Sequence, residues 1–175
     1  MNVFGFAGFS GVGKTTLIEQ LIPRFVAQGL RVSLIKHAHH HFDIDKPGKD
    51  SYRHREAGAS EVLVTSHRRW VLMHELRDEA EPPLETQLKL FAPCDLILVE
   101  GYKHAAIPKL ELHRPSLGRP MLFPTDTNIV AVASDAPDDI ATTLPKLRMN
   151  QPDAIVSFIM QQVGLANPKL ENIMP

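Results

Sequence analysis

Short apolar runs alternate with segments of helical spacing from the first residues of the chain. Residues 3–7 are an apolar run that leads into a glycine-rich turn, and residues 31–35 are predicted to be the next strand. Between them, residues 15–28 repeat apolar side chains such as Leu17 and Leu21 every three to four positions, as a helix with one buried face does. A strand, a helix and a strand in so short a span predict a parallel pair joined by a right-handed crossover.

The alternation continues to the end of the chain, with one interruption. Two strands with a tight connection, at residues 61–65 and 69–74, are predicted to form a β-hairpin. Further strands are predicted at residues 96–99, 109–113 and 129–133. Further helices are predicted to end at residue 57, to carry Leu84, Leu88 and Phe91, and to follow a cap at Asn150.

Composition narrows the class of protein. A chain of 175 residues with 43% hydrophobic residues suits one domain, and its formal net charge of −1 favours neither nucleic acid nor an anionic membrane as partner. Cys94 is the only cysteine, so an intrachain disulfide and a cysteine-based zinc site are excluded. No apolar run reaches the roughly 18 residues of a membrane span, and the N-terminus lacks a signal-peptide pattern. We therefore expect a cytoplasmic protein.

The glycine-rich turn matches the phosphate-loop pattern G-x-x-x-x-G-K-[ST] at every fixed position, from Gly8 to Thr15. Its glycines allow successive backbone N–H groups to point at phosphate oxygens. Lys14 brings a positive charge to the β- and γ-phosphates, and the hydroxyl of Thr15 suits a magnesium ion. The motif follows a strand and opens a helix, whose positive end faces the same anion. The predicted phosphate-binding residues are Gly8, Ser10, Gly11, Val12, Gly13, Lys14, Thr15 and Thr16.

A second strand supplies the carboxylate that a phosphate loop needs. Glu100 ends the buried run at residues 96–99, at the edge where ligands collect in open α/β sheets, and we predict that it holds magnesium together with Thr15. Gly101 would let the backbone approach the γ-phosphate. An ordinary glutamate at a strand end is the alternative interpretation.

The base site is less clearly marked, because the chain has no [NT]-K-x-D segment. Asp135 follows the buried run at residues 129–133, and its carboxylate could accept both the N1 and the N2 proton of guanine. Adenine offers no such pair of donors. The competing interpretation is an aspartate that belongs to a loop or caps a helix.

A histidine-rich loop follows the second strand. Five of the nine histidines and five basic residues lie between residues 36 and 55. One hypothesis is a surface that binds a second phosphorylated ligand or cofactor, and another is a transition-metal site formed by histidines and Asp43. A solvated polar loop is the third. The residues chosen for the cofactor or anion loop are Lys36, His37, His39, His40, Asp45 and Lys49.

Taken in order, these segments resemble one known family, that of molybdopterin-guanine dinucleotide biosynthesis protein B. The resemblance extends to about residue 135. Its less specific part is the phosphate loop, and its more specific parts are Lys-His-Ala-His-His at residues 36–40 and Asp-Lys-Pro-Gly-Lys-Asp-Ser at residues 45–51. Leu-Ile-Leu-Val-Glu-Gly at residues 96–101 and Ala-Val-Ala-Ser-Asp at residues 131–135 complete it.

The resemblance implies a GTP-binding protein with weak intrinsic hydrolysis, usually a homodimer. Members assist the molybdenum cofactor guanylyltransferase, which attaches GMP to molybdopterin, so the histidine-rich loop could face a molybdopterin-type molecule or the partner enzyme. The expected fold is α/β and P-loop NTPase-like, with a mostly parallel sheet, flanking helices and a β-hairpin insertion. Residues 1–164 are predicted to form one nucleotide-binding domain, and residues 165–175 a loosely held tail.

Two other functions fit the same scaffold. The first is a small-molecule kinase, in which the loop at residues 36–55 would grip a phosphate acceptor. The second is a metallochaperone GTPase that uses the histidine cluster. We assign no catalytic residue, because the sequence offers no convincing group to orient an attacking water.

Overall fold

The computed structural model describes residues 1–38 and 42–165. His39, His40 and His41 lie outside the described residues, as do residues 166–175, which make up nearly all of the predicted tail. The strands within the described residues are β1 (Asn2–Ala7), β2 (Val32–Lys36), β3 (Glu61–Thr65), β4 (Trp70–His74), β5 (Leu96–Glu100), β6 (Lys109–His113), β7 (Ile129–Ser134) and β8 (Lys146–Arg148). The α-helices are α1 (Lys14–Val26), α2 (Asp50–Glu56), α3 (Leu84–Leu88) and α4 (Pro152–Gln162).

Six strands form one sheet in the order β2-β5-β1-β6-β7-β8, and every neighbouring pair is parallel. The predicted fold class is therefore confirmed. β1 lies inside the sheet, with Phe4 opposite Leu98 of β5 and Phe6 opposite Leu110 of β6. β5 and β6 are buried along their whole length, which is why β5 reads as an uninterrupted apolar run.

The main core joins this sheet to helices α1 and α4, which contact each other. Its largest members include Phe4 and Phe6, whose rings meet edge to face with centroids 5.9 Å apart. The apolar stripe of α1 is buried at Leu17, Ile18, Leu21 and Phe25, as its spacing predicts, and partly buried at Ile22. No helix in the described ranges combines the length and apolarity needed to span a bilayer.

The chain divides into two compact units, one made of residues 1–37 and 88–175, the other of residues 38–87. The second unit contains α2 and the predicted hairpin, in which β3 and β4 pair antiparallel. At its centre, the guanidinium of Arg55 lies 2.8 Å from Asp43, 3.1 Å from Asp45 and 3.4 Å from Glu75. The Arg55 side chain is 14% exposed, so a half-buried cation among three carboxylates links α2 to the loop before it and to the end of the hairpin. The assignment of residues 1–164 to a single domain stays a prediction.

The ends of two helices differ from expectation. The prediction that Asn150 caps the last helix is wrong. The residue before α4 is Gln151, and its side chain makes no capping hydrogen bond. Pro152 opens the helix, and its ring keeps the preceding residue out of the helical region, which fixes the boundary one residue later. Helix α3 ends at Leu88, so Phe91 lies beyond it.

Strand β6 buries a lysine. The Lys109 side chain is fully buried, and its ammonium lies 2.6 Å from Asp126 and donates to the carbonyl oxygens of Lys103 and Ala105. Its stem fits only because Gly5 lies opposite: a Cβ on Gly5 would lie 2.6 Å from Lys109 Cγ. Burial acts to raise the pKa of Asp126, but hydrogen bonds from Lys109 and Asn128 lower it below its ordinary value. The segment that carries Asp126 is therefore held to the sheet by a buried ion pair.

Asp126→Asn should destabilise the protein by about 2–3 kcal/mol, because it leaves the Lys109 ammonium buried without its counter-charge. The folded-state pKa of Asp126 lies below its unfolded value of about 3.9, so the contribution of its charge is present above that value and is lost as pH falls through the folded-state pKa. Urea unfolding at several pH values measures the free energy of unfolding of both proteins. The difference between wild type and variant should shrink in acid.

The exposed pair of Arg148 and Asp138, 2.7 Å apart, provides the control. Asp138→Asn should change the unfolding free energy by no more than about 0.5 kcal/mol. Equal losses in the two variants would contradict the role given to burial.

Candidate functional site

The turn between β1 and α1 has the backbone that a phosphate loop requires. Gly8 has φ 140°, and a Cβ there would lie 2.6 Å from the carbonyl oxygen of Leu112, so only glycine fits. Val12 is buried and anchors the turn in the core, whereas Ser10, Gly11 and Thr16 are exposed. α1 begins at Lys14 and points its N-terminus at the concave side of the turn.

Lys14 lies across this turn. Its ammonium donates to the carbonyl oxygens of Gly8 at 2.8 Å and Phe9 at 3.1 Å. Burial lowers the pKa of Lys14; Glu100 opposes this decrease and Lys36 adds to it. A lowered pKa means that the ammonium lacks compensating negative charge, so an anion at this position would stabilise its charged form.

Thr15, Glu100 and Lys36 meet beside the turn. The Thr15 hydroxyl donates to Glu100 Oε1 at 2.6 Å. The Lys36 ammonium lies 3.4 Å from that hydroxyl and 3.6 Å from Glu100 Oε2. Glu100 is only 6% exposed, so its carboxylate needs a cation nearby. A hydroxyl and a carboxylate are hard oxygen ligands, and this donor set fits a magnesium ion.

Gly101 follows Glu100 at φ 95° and lies against the loop after β2. A Cβ there would be 2.9 Å from His37 Cβ. The His37 amide donates to the carbonyl oxygen of Glu100, and its ring lies 4.6 Å from that of Tyr102, which itself has φ 45°. The structure therefore gives Gly101 a packing reason, beyond the phosphate approach predicted for it. Tyr102 was not anticipated from the sequence.

Asp135 lies at the end of β7 and is bound to an arginine that sequence reasoning did not select. Arg114 Nη1 lies 2.7 Å from Asp135 Oδ2, and Arg114 Nε donates to the carbonyl oxygen of Val12 at 3.0 Å. The predicted base-reading residue and the phosphate loop are thus joined through one guanidinium. The available signal was position, because Arg114 directly follows β6 at the edge of the sheet where β1 and β7 also end.

The residues predicted for the cofactor or anion loop do not all lie in the same part of the structure. Lys36 and His37 belong to the unit that contains the phosphate loop. Asp45 and Lys49 belong to the hairpin unit, where they help to line a cavity of about 250 Å³ and Asp45 pairs with Arg55. His39 and His40 lie outside the described residues.

The metal hypothesis for this loop depends on histidines that the structure does not describe. Among residues 1–38 and 42–165, no three histidine, cysteine, aspartate or glutamate side chains are grouped so that they could hold a metal ion. Any metal site built by the loop itself would therefore have to draw on His39, His40 or His41.

Several comparisons with known proteins point to the same family. The family model for molybdopterin guanine dinucleotide synthesis protein B matches residues 3–135. The chain is 44% identical over 168 residues to the molybdopterin-guanine dinucleotide biosynthesis adapter protein of Escherichia coli, covering 94% of this chain and 95% of that protein. It is 43% identical over 157 residues to the protein of the same name from Haemophilus influenzae, covering 90% and 86%.

A solved structure shows the same relationship. The crystal structure of a MobB protein homolog from Bacillus stearothermophilus aligns with a TM-score of 0.67 at 28% identity. The alignment covers 94% of this chain and 99% of that one.

Gly101→Ala should destabilise the fold more than Gly29→Ala. Both glycines have similar positive φ, 95° and 82°, but an added Cβ meets His37 at position 101 and nothing within 4 Å at position 29. The shared backbone strain should cost about 1–2 kcal/mol in each variant, and the clash should add about 1 kcal/mol or more at position 101. Thermal or urea unfolding measures the difference. Equal destabilisation would show that the contact with His37 yields freely.

Proposed function

The chain belongs to the molybdopterin guanine dinucleotide synthesis protein B family, and we propose that it is a GTP-binding adapter of molybdopterin guanine dinucleotide biosynthesis. The observation that carries the nucleotide part of this proposal is the arrangement of Lys14, Thr15 and Glu100 around the turn that follows β1. Inward N–H groups, one ammonium and a hydroxyl–carboxylate pair are the groups that a triphosphate with its metal ion needs.

In this proposal Thr15 and Glu100 would hold a magnesium ion, which would neutralise charge on the bound phosphates. Lys14 leaves the carbonyl oxygens of Gly8 and Phe9 for phosphate oxygens. Lys36 lies beside the Thr15–Glu100 pair and would share the negative charge of Glu100 with a metal ion. Gly8, Ser10, Gly11, Val12, Gly13 and Thr16 contribute the remaining loop and first-turn contacts.

We assign recognition of the nucleotide base to Asp135. Its carboxylate lies at the end of β7, two strands along from the phosphate loop, and can accept the N1–H and N2–H of guanine together. Hydrolysis is proposed to be slow, because fast hydrolysis needs a further group that positions the water, and none of the residues placed above has that role.

As an adapter, the protein is proposed to act on the molybdenum cofactor guanylyltransferase. Within the unit of the phosphate loop, Lys36 and His37 are proposed to contact a molybdopterin-type molecule or that enzyme. The same role is proposed for Asp45 and Lys49 of the hairpin unit. For His39 and His40, which lie outside the described residues, this role stays a prediction from the sequence. Support for this step is the density of cationic and hydrogen-bonding side chains in the segment, and the names of the two adapter relatives.

Nucleotide titrations test the proposal. With magnesium present, GTP should bind more tightly than ATP, and Lys14→Ala should weaken GTP binding about 100-fold while leaving the fold intact, because its ammonium reaches phosphate oxygens. Isothermal titration calorimetry gives the affinities, and circular dichroism checks the fold. Lys146→Ala removes the same charge on β8 and is the control. A preference for ATP would contradict the assignment of Asp135, and retained affinity in Lys14→Ala would contradict the site.

We also propose that the adapter is a homodimer that uses its hairpin. On one face of the hairpin Leu63 lies opposite Leu72, and Trp70 is next to them. These side chains are 60%, 47% and 68% exposed, an apolar surface that a two-stranded sheet cannot cover alone. A second copy of the chain, which carries the same apolar face, is the occupant we assign to this surface, in keeping with the self-complementary interfaces of two-fold dimers.

Trp70→Lys should weaken the dimer at least about tenfold, because it places a charge in the apolar contact. Sedimentation equilibrium across a concentration series measures the dimer dissociation constant. Leu90→Lys introduces the same charge at an exposed leucine outside the hairpin, 77% accessible, and should leave the constant unchanged. A wild-type protein that is monomeric at micromolar concentration would contradict the proposal.

A further inference from the structure

Arg114 touches two sites that the proposed function treats separately. Its Nε donates to the carbonyl oxygen of Val12 in the phosphate loop, and its Nη1 lies 2.7 Å from the carboxylate of Asp135. A Cβ on Gly13 would lie 3.5 Å from Nη2, so the guanidinium also covers the side of that glycine. The three strands that lead to these residues, β1, β6 and β7, are neighbours in the sheet.

The bond to Val12 fixes the direction of one loop amide. In a planar trans peptide, the carbonyl oxygen of one residue and the N–H of the next point in opposite directions. When Arg114 holds the Val12 carbonyl on its own side, the N–H of Gly13 points the other way. Gly13 is the second glycine of the phosphate-loop pattern, whose N–H groups are the donors to phosphate.

The bond to Asp135 fixes the other end of the guanidinium. Because the guanidinium is planar and its donors form a rigid fork, the orientation of Nη1 toward Asp135 determines where Nε points. The Asp135 carboxylate still has lone pairs for further donors, and Oδ1 lies 3.5 Å from the Ser134 hydroxyl. A ligand that moves or orders this carboxylate must therefore act on the same rigid group that holds the loop peptide.

We propose that Arg114 is a positioning residue that couples the site of Asp135 to the phosphate loop, by orienting the Val12–Gly13 peptide through the same guanidinium that Asp135 holds. The inference rests on the proposed function for the identity of the ligand, a nucleoside triphosphate. It adds that the base and phosphate halves of the site are not independent. Occupation of one prepares the other.

A polyphosphate without a base tests the coupling. We use inorganic tripolyphosphate with magnesium, and measure its affinity by calorimetry. Arg114→Ala should weaken it about tenfold, and Arg114→Lys about fivefold, because an ammonium keeps the charge but cannot reproduce the fork. Arg148→Ala removes a guanidinium of β8 that pairs with Asp138, and it should change the affinity less than about twofold.

The decisive variant is Asp135→Ala, because tripolyphosphate offers this residue no base. It should weaken tripolyphosphate binding about threefold in the wild-type background and have almost no effect in the Arg114→Ala background. Equal factors in the two backgrounds would overturn the coupling. So would an Arg114→Lys protein that binds like the wild type, since only the charge would then matter. The Arg114→Lys comparison keeps the test valid if Arg114→Ala folds poorly.

Failure of the proposed function gives a different result. A wild-type protein that binds tripolyphosphate but does not prefer GTP over ATP would remove the base assignment, and the effect of Asp135→Ala on tripolyphosphate would still decide the coupling. If the wild-type protein binds GTP as proposed and Arg114→Ala leaves the affinity for tripolyphosphate unchanged, only the coupling is overturned. Binding of neither ligand would overturn both.

Discussion

The carboxyl ends of five neighbouring parallel strands lie along one edge of the central sheet, and the candidate site depends on this alignment. The strands deliver Lys36, Glu100, Gly8, Arg114 and Asp135, each at or just after the last residue of its strand. Lys36 and Glu100 are register partners between β2 and β5, so their ion pair follows directly from the pairing of the strands. A slip of one residue would turn Glu100 to the opposite face of the sheet.

The charges at this edge are held in place by the protein itself. Lys14 donates to loop carbonyl oxygens, Lys36 lies beside Glu100, and Arg114 bridges Val12 and Asp135. Side chains that are already fixed lose less conformational freedom when a ligand arrives, so prepositioned cations can bind phosphate at a lower entropic cost. Because these three cations are gathered at one edge of the sheet, a chain with a formal net charge of −1 can present a locally cationic site.

Strand β6 organises a segment that has no recognisable motif. Lys109, Glu111 and His113 alternate with leucines, a pattern that usually marks one solvated face, yet the whole strand is buried. Glu111 accepts hydrogen bonds from the backbone amides of Leu122 and Phe123. Burial raises the pKa of Glu111, although these hydrogen bonds act to lower it. With the Lys109–Asp126 pair, these contacts attach the segment at residues 114–128 to the sheet beside the candidate site.

The sequence by itself determined the class of fold, the phosphate loop and the strand that ends at Glu100, because each depends on local spacing: apolar runs, helical periodicity and a motif of eight consecutive residues. It did not reveal β8, whose three residues include two charges and which forms by pairing with β7, or the start of α4 at Pro152. Only the tertiary structure decided that Arg114 joins Val12 to Asp135 and that Lys36 lies beside Thr15 and Glu100. Those contacts link residues 21 to 102 positions apart, and a distance that large is set by strand order and register, which no local pattern encodes.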